Sequence, residues 1–257
     1  MSSEETKKPV VVLQAAGKWW RFADPVQVIV AETAVDVAAA LREIDRAVEE
    51  EGLYAAGYLA YEAGAAFDLT TYTPDPDAPP LLWFGLFHDY EPIEAPVSIT
   101  GHRFGEWQPA LPFDTYEAAI GRIKDAIAAG DTYQVNYTFP LRATFEGDPW
   151  ALFADLAAAQ RAEYCAYVDL GRFAVCSASP ELFFRLDGST LTARPMKGTA
   201  SRGLTPDDDR RQSDWLRNSE KNRAENVMIV DMIRNDFGRI ARTGSVSVPA
   251  LFTIERY

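Results

Sequence analysis

The sequence predicts an α+β fold, in which antiparallel strands and helices are segregated rather than alternating along the chain. Short apolar runs bounded by turn residues predict strands, among them 9–14, 26–31 and 81–90. Longer stretches with apolar residues at helical spacing predict helices at 33–51 and 114–129. Because these elements do not form regular strand–helix–strand units, a parallel sheet is not expected.

The predicted elements of the N-terminal part follow one another closely. Residues 24–25 (Asp-Pro) predict the turn between the first two strands. Thr33 is the predicted N-cap of the first helix, and Gly52 its end. A further strand is predicted at 54–61, while the four prolines of segment 72–80 exclude a helix or a central strand there.

The second half is predicted to be mixed as well. After a connection at 91–112, Asp114 and Glu117 form the pattern of a capping box that opens a helix, and Gly130 closes it. The later predicted elements are strands at 133–145, 164–170, 173–178, 181–186 and 190–194, a helix at 149–161 and a charged helical stretch at 207–236. The chain is thereby divided into an N-terminal β-rich region, 1–112, and a second region, 113–257.

Composition limits the classes of function. The net charge of −13 argues against nucleic acid as a partner, since binding it depends on lysine and arginine. No apolar run is long enough to span a bilayer, and the polar N-terminus lacks a signal peptide, so a cytoplasmic protein without a membrane partner is expected. Cys165 and Cys176 lie in apolar stretches without metal or redox spacing, which predicts two small buried residues.

Four short segments hold the polar residues best placed to do chemistry. They are Gly130–Thr138 (GDTYQVNYT), Ser177–Phe184 (SASPELFF), Ala193–Gly203 (ARPMKGTASRG) and Ser219–Asp236 (SEKNRAENVMIVDMIRND). Taken singly, each segment has a structural explanation. Glu181 could be a solvated strand residue, Lys197 a surface lysine, and the residues around Glu225 the wet face of an amphipathic helix.

Together the four segments resemble the chorismate-utilising enzymes, which include anthranilate synthase component I, aminodeoxychorismate synthase component I, and the isochorismate and salicylate synthases. The resemblance runs from about Asp114 to Tyr257, and its specific motifs are SPE, KGT and RAENxMIVDxxRND in this order. The segment 57–64 (GYLAYEAG) further resembles the N-terminal region of the aminodeoxychorismate members. The fold implied is a two-layer antiparallel β-sheet sandwich flanked by helices, as in anthranilate synthase component I.

Two positions indicate the branch within this family. Members that use water carry a lysine at the position of Gln134, and glutamine is no comparable base, so ammonia is the implied nucleophile. Lys197 stands where anthranilate synthases usually have alanine and aminodeoxychorismate synthases have lysine. The resemblance therefore implies a transaminase-type transferase that makes 4-amino-4-deoxychorismate for para-aminobenzoate and folate. The alternatives are anthranilate synthase component I and a non-catalytic fragment that only binds an amidotransferase.

The resemblance also implies a role for each candidate residue. An uncharged Lys197 amine would attack C2 of chorismate, which splits one difficult substitution into two easier steps. Glu181 would protonate the departing C4 hydroxyl. Glu225 matches one of the family's Mg2+ ligands, and the ion would hold a substrate carboxylate. The residues implied to contact the substrate are Gly198, Thr199 and Gln134.

A partner and a longer protein are implied too. Neither cysteine has the context of a glutaminase nucleophile, so a glutamine amidotransferase subunit would supply the ammonia. In relatives the sequence continues beyond the segment 251–257 into more of the catalytic domain. Further Mg2+ ligands and an arginine for a substrate carboxylate are expected there, so the 257-residue chain alone is expected to be inactive.

Overall fold

The structure is a computed structural model that describes residues 9–75 and 77–256. It divides into two compact units that interleave along the chain. The first unit contains the residues up to 102 and those of 147–180, and the second contains 103–146 and the residues from 181 onwards. The regions 1–112 and 113–257 are a division of the sequence, and that division stays a prediction.

The described residues form strands, α-helices and a 3-10 helix at Tyr61–Phe67. The strands are β1 (Val10–Ala15), β2 (Lys18–Ala23), β3 (Gln27–Ala31), β4 (Tyr54–Leu59), β5 (Leu82–Phe87), β6 (Glu91–Ile93), β7 (His102–Phe104), β8 (Gln108–Pro109), β9 (Leu141–Arg142), β10 (Phe145–Gly147), β11 (Tyr164–Asp169), β12 (Ala174–Ser179), β13 (Leu182–Asp187) and β14 (Thr190–Arg194). The α-helices are α1 (Ala34–Glu51), α2 (Phe113–Ala129), α3 (Pro149–Gln160), α4 (Pro206–Asn218) and α5 (Glu220–Gly238).

The first unit contains two antiparallel sheets. Their strand orders are β12-β11-β1-β2-β6 and β3-β5-β4. In the larger sheet Val12 of β1 lies opposite Tyr167 of β11, so strands that are distant in sequence form its centre. Antiparallel pairing with helices outside the sheets confirms the predicted α+β class.

Side-chain alternation along the strands divides the core of the first unit into layers. Val11 of β1 belongs to a buried cluster shared by both sheets, which also contains Trp83 and Phe87 of β5. Its neighbour Val12 belongs to a cluster on the opposite face with Phe153 of α3. A third cluster packs α1 against the other face of β3 and β5. The order of layers is therefore α1, three-stranded sheet, five-stranded sheet and α3, which is the implied sandwich with flanking helices.

Several polar groups of the first unit are buried or partly buried. Cys165 is buried as predicted, whereas Cys176 is only partly buried. Burial raises the pKa of each thiol, that of Cys176 to about 11. The hydroxyl of Tyr58 donates a hydrogen bond to the carbonyl oxygen of Pro80 at 2.8 Å. Burial, aided by the charge of Glu32, raises the pKa of Tyr58 to about 12.

The second unit has far less core. Ala119 of α2 is the one fully buried residue among those described for this unit, and neither α4 nor α5 buries a residue completely. Large apolar side chains remain exposed to solvent, such as Phe183 at 86% and Leu204 at 99%. Local hydrogen bonds, helix caps and ion pairs therefore hold much of this unit together.

Most elements predicted from hydrophobic patterning are confirmed within a few residues at their ends, including the first two helices and the strands β1, β3, β4 and β5. Gly52 ends α1 in a left-handed conformation and donates its N–H to the carbonyl of Ala47, as predicted. Thr33 does occupy the N-cap position, but its hydroxyl donates to the carboxylate of Asp36 rather than capping the backbone. The described residues of segment 72–80 form neither helix nor strand, and Pro76 lies outside the described residues.

The first hairpin differs from the prediction. The predicted turn at 24–25 is not the one that joins the first two strands, because β1 and β2 are connected by Ala16 and Gly17. Both residues have positive φ, 52° and 72°, which is typical of a two-residue hairpin turn. The sequence prediction omits β2 because Asp-Pro is a stronger turn signal than Ala-Gly.

Two predictions for the second unit are wrong. The strand predicted at 133–145 is reduced to β9 and the start of β10, because 133–139 has no partner strand among the described residues and Pro140 has no N–H to donate. The capping box also fails, since α2 begins at Phe113 and shows no side-chain capping bond. Asp114 instead lies inside the first turn, where a negative charge interacts favourably with the helix dipole.

The charged stretch 207–236 forms two helices. Ser219 separates α4 from α5, and its Oγ accepts a hydrogen bond from the backbone N–H of Asn222 at 3.4 Å. The predicted strands of 164–194 likewise divide at Pro180, since β12 belongs to the five-stranded sheet whereas β13 pairs with β14. None of the helices in the described part of the chain is long and apolar enough to cross a membrane.

Candidate active site

The β13–β14 hairpin brings two of the predicted site residues to one end. Its strands are antiparallel, with Leu182 opposite Arg194, so the residue before β13 lies beside the residues that follow β14. Accordingly, the Oε1 atom of Glu181 accepts a hydrogen bond from the backbone N–H of Met196 at 2.9 Å. Since Met196 immediately precedes Lys197, the hairpin places the glutamate at the start of the lysine segment.

Lys197 is half-buried in a segment without regular secondary structure. No carboxylate of the described residues lies within 4.0 Å of its amine, so the amine is not held in an ion pair there. An ion pair with a carboxylate would favour the protonated amine, which has no lone pair for nucleophilic attack. Thr199, two residues later, is exposed.

Gly198 requires the absence of a side chain. Its φ is +76°, in the left-handed region, and an added Cβ would lie 2.9 Å from Cγ of Asn222. The lysine segment therefore packs closely against the first turn of α5. The contact between Asn222 and Gly198 depends on tertiary packing and leaves no signal in the sequence spacing.

Glu225 lies three residues after Asn222 and therefore on the same side of α5. Its side chain is 28% exposed, and its carboxylate lies 3.8 Å from the amine of Lys221. The helix thus presents one partly shielded carboxylate on the side that contacts Gly198.

The described residues do not form a complete magnesium site. No group of three histidine, cysteine, aspartate or glutamate side chains that could hold a metal is found within 9–75 and 77–256. Glu225 could supply one oxygen ligand, but Mg2+ requires about six ligands, so the others would be water, substrate oxygens or groups outside the described set.

No hydrogen bond among residues 9–75 and 77–256 links Gln134 to the other predicted site residues. Its side-chain amide nitrogen donates to the side-chain oxygen of Asn136 at 3.3 Å. Its backbone carbonyl oxygen accepts a hydrogen bond from the hydroxyl of Thr132. Both contacts stay within its own segment, which forms no strand. Its implied role in substrate binding stays a prediction.

The chain is similar to proteins of one family along almost its whole length. A family model described as "chorismate binding enzyme" matches residues 8–257. Aminodeoxychorismate synthase component 1 of Escherichia coli (strain K12) is 42% identical over 152 residues, which are 59% of this chain and 34% of that protein. Anthranilate synthase component 1 of Aquifex aeolicus is 37% identical over 154 residues, or 60% of this chain and 31% of that protein.

The fold is shared with a solved structure of greater length. The crystal structure of anthranilate synthase component I from Streptococcus pneumoniae aligns with a TM-score of 0.71 and 17% identity, covering 100% of this chain and 67% of that one. At this identity the similarity shows the fold alone. The chain spans about one third of the length of the curated relatives it matches.

Proposed function

Because the chain belongs to the chorismate-binding enzyme family, we propose that it carries the nucleophile and the acid of an aminodeoxychorismate synthase component I. The proposed reaction converts chorismate and ammonia to 4-amino-4-deoxychorismate, an intermediate on the route to para-aminobenzoate and folate. Relatives with this name that match the chain are 39–42% identical, compared with 37% for the Aquifex aeolicus anthranilate synthase.

The observation that best supports the proposal is the hydrogen bond from the Met196 N–H to Glu181. It places a carboxyl group at the residue next to Lys197, on a hairpin whose register fixes both ends. A nucleophile and an acid must act on the same substrate, so a backbone that holds them at neighbouring positions suits two-step substitution.

The proposed chemistry is balanced over two steps. In the first, the neutral amine of Lys197 forms a bond to C2, both ring double bonds shift by one position, and the C4 hydroxyl leaves as water with a proton from Glu181. In the second, ammonia bonds to C4, both double bonds return, and the lysine leaves from C2 as a neutral amine. The new C4 ammonium group then gives up one proton, which restores the protonated form of Glu181. Gly198 and Thr199 would contact the substrate through backbone and hydroxyl donors.

Two further components belong to the proposal. Mg2+, with Glu225 as one of its ligands, would neutralise a substrate carboxylate, which this acidic chain otherwise binds unfavourably. A glutamine amidotransferase subunit would supply ammonia in the complete enzyme. The Mg2+ component is tested separately from the lysine chemistry.

A second candidate is anthranilate synthase component I. The similarity to that enzyme in Aquifex aeolicus favours it, and the same chain segments are involved. In that case ammonia would attack the substrate directly and Lys197 would form no covalent bond. The presence or absence of an adduct on Lys197 therefore separates the two candidates. Binding of an amidotransferase without chorismate binding would instead favour a non-catalytic role.

The proposal is tested by incubating a full-length version of the enzyme with chorismate in the absence of ammonia. Nothing then displaces the lysine, so the intact mass should increase by the mass of chorismate less one water. Peptide mapping should locate the added mass on Lys197. Lys197→Ala should abolish the adduct, whereas Lys124→Ala, which removes an exposed lysine on α2, should leave it unchanged. An adduct that persists in Lys197→Ala, or none in the unsubstituted full-length version, contradicts the proposal.

A further inference from the structure

The carboxylate of Asp209 in α4 forms hydrogen bonds with the segment that follows Thr199. Asp209, in the first turn of α4, accepts hydrogen bonds from Nε of Arg202 at 2.6 Å and from its Nη2 at 3.0 Å. The same carboxylate accepts the backbone N–H of Gly203 at 3.2 Å. Only 14% of the Asp209 side chain is exposed, and the guanidinium of Arg256 lies 3.8 Å away. The two-pronged arginine contact fixes direction as well as distance.

The backbone of the segment lies directly on this turn. A Cβ at Gly203 would lie 2.1 Å from the backbone nitrogen of Asp209 and 2.4 Å from the carbonyl carbon of Asp208, so no other residue fits there without a shift. The Arg202 guanidinium, by hydrogen bond and charge, holds the pKa of Asp209 below its ordinary value. Asp209 is therefore ionised at neutral pH, as the contact requires.

The lysine segment is consequently fixed on both sides. Upstream, Met196 is bonded to Glu181, and downstream Arg202 and Gly203 are bonded to Asp209. We infer that Asp209 is a positioning residue for the Lys197–Thr199 segment and acts through Arg202 and Gly203 rather than by touching the substrate. This inference deepens the proposed function and rests on it for its meaning in catalysis.

The neighbouring Asp207 provides a matched control. It lies in the same first turn, carries the same charge, and pairs with Arg210 of its own helix rather than with the lysine segment. Asp207→Asn and Asp209→Asn therefore remove the same charge from the helix start, but only the second releases the segment. Arg202→Lys keeps the positive charge and removes the two-pronged contact.

The test measures how fast the N-hydroxysuccinimide ester of acetic acid acetylates Lys197, relative to Lys124, by peptide mass spectrometry. Release of the segment exposes the half-buried Lys197, so Asp209→Asn and Arg202→Lys should each accelerate its acetylation by about threefold or more. Both changes should also weaken the protection of Lys197 by chorismate. Asp207→Asn should alter neither quantity. Circular dichroism checks folding, and if Asp209→Asn loses helix, Arg202→Lys decides the outcome.

The inference is overturned if Asp209→Asn and Arg202→Lys leave the acetylation rate of Lys197 unchanged, or if Asp207→Asn changes it equally. Failure of the proposed function has a different signature, because chorismate would then not protect Lys197 even in an unsubstituted full-length version of the enzyme. The acetylation rates without chorismate still test the positioning role in that case.

Discussion

Gly198 and Asn222 are in contact so close that a methyl group on the glycine would lie 2.9–3.1 Å from three atoms of the asparagine side chain. This contact joins the lysine segment to α5, the helix that also carries Glu225. Two proposed ligand-binding elements are thereby held together by the contact between a glycine and an amide side chain.

Gly198→Ala is expected to destabilise the second unit. The left-handed φ and the clash with Asn222 each add a cost, about 2–4 kcal/mol in total. Gly188→Ala is the matched control, since Gly188 also has a positive φ, +57°, but has no atom within 4 Å of an added Cβ. It should cost only about 1 kcal/mol. Urea unfolding followed by circular dichroism measures both, and equal losses would refute the packing argument.

Glu181 is expected to protect the backbone N–H of Met196 from hydrogen exchange. Glu181→Gln replaces the carboxyl acceptor by an amide, so the backbone N–H of Met196 should exchange roughly three to ten times faster. Asp187→Asn removes a carboxylate at the far end of the same hairpin and should leave this rate unchanged. Exchange measured by mass spectrometry or NMR decides the point. Unchanged exchange in Glu181→Gln would mean that the bond contributes nothing to the order of the segment.

Elements whose alternating or helical pattern has a buried face were predictable from the sequence. Val11 and Val12 face different clusters on either side of one sheet, which is the period of two that the pattern expresses. The segment 133–139 shows the limit of this reasoning. It has strand-like residues, but a strand also needs a partner, and the position of a partner is a tertiary property.

The candidate site was predictable only in part, for the same reason. The motifs single out Glu181 and Lys197, and the hairpin register then brings their segments together. The contacts of Asn222 and Asp209 with the lysine segment depend on where two helices pack. Sequence spacing contains no information about such contacts, and Asp209 by itself resembles any acidic residue at a helix start.

The raised pKa of Tyr58 predicts that the folded chain loses stability at alkaline pH. Its pKa is about 12 in the folded chain and 10.0 ordinarily, so the folded state holds this proton more tightly. The stabilisation is complete below about pH 10 and is lost as the pH rises from 10 towards 12. Tyr58→Phe should flatten this part of the stability curve and cost about 1 kcal/mol near neutral pH through the lost bond to Pro80. Tyr61→Phe, at an exposed tyrosine, is the control. Unfolding free energies at several pH values test this, and equal slopes in both variants would contradict it.

If Glu225 holds Mg2+, the affinity for Mg2+ and the affinity for chorismate should depend on each other. The described residues contain no group of three side chains that could hold a metal, so Mg2+ alone should bind with a dissociation constant of roughly a millimolar or weaker. Chorismate would add carboxylate oxygens to the ion, and by linkage each ligand should then tighten the other by the same factor. Glu225→Gln should remove this coupling while the chain stays folded. Lys221→Ala should strengthen Mg2+ binding, because the ammonium 3.8 Å from Glu225 repels the ion. Asp231→Asn, on the same helix but paired with Arg234 at 2.8 Å, should leave the coupling intact.

Calorimetric titration of chorismate at several Mg2+ concentrations measures the coupling. If the coupling is the same in Glu225→Gln as in the native chain, Glu225 is a solvated helix residue and the ion is bound elsewhere.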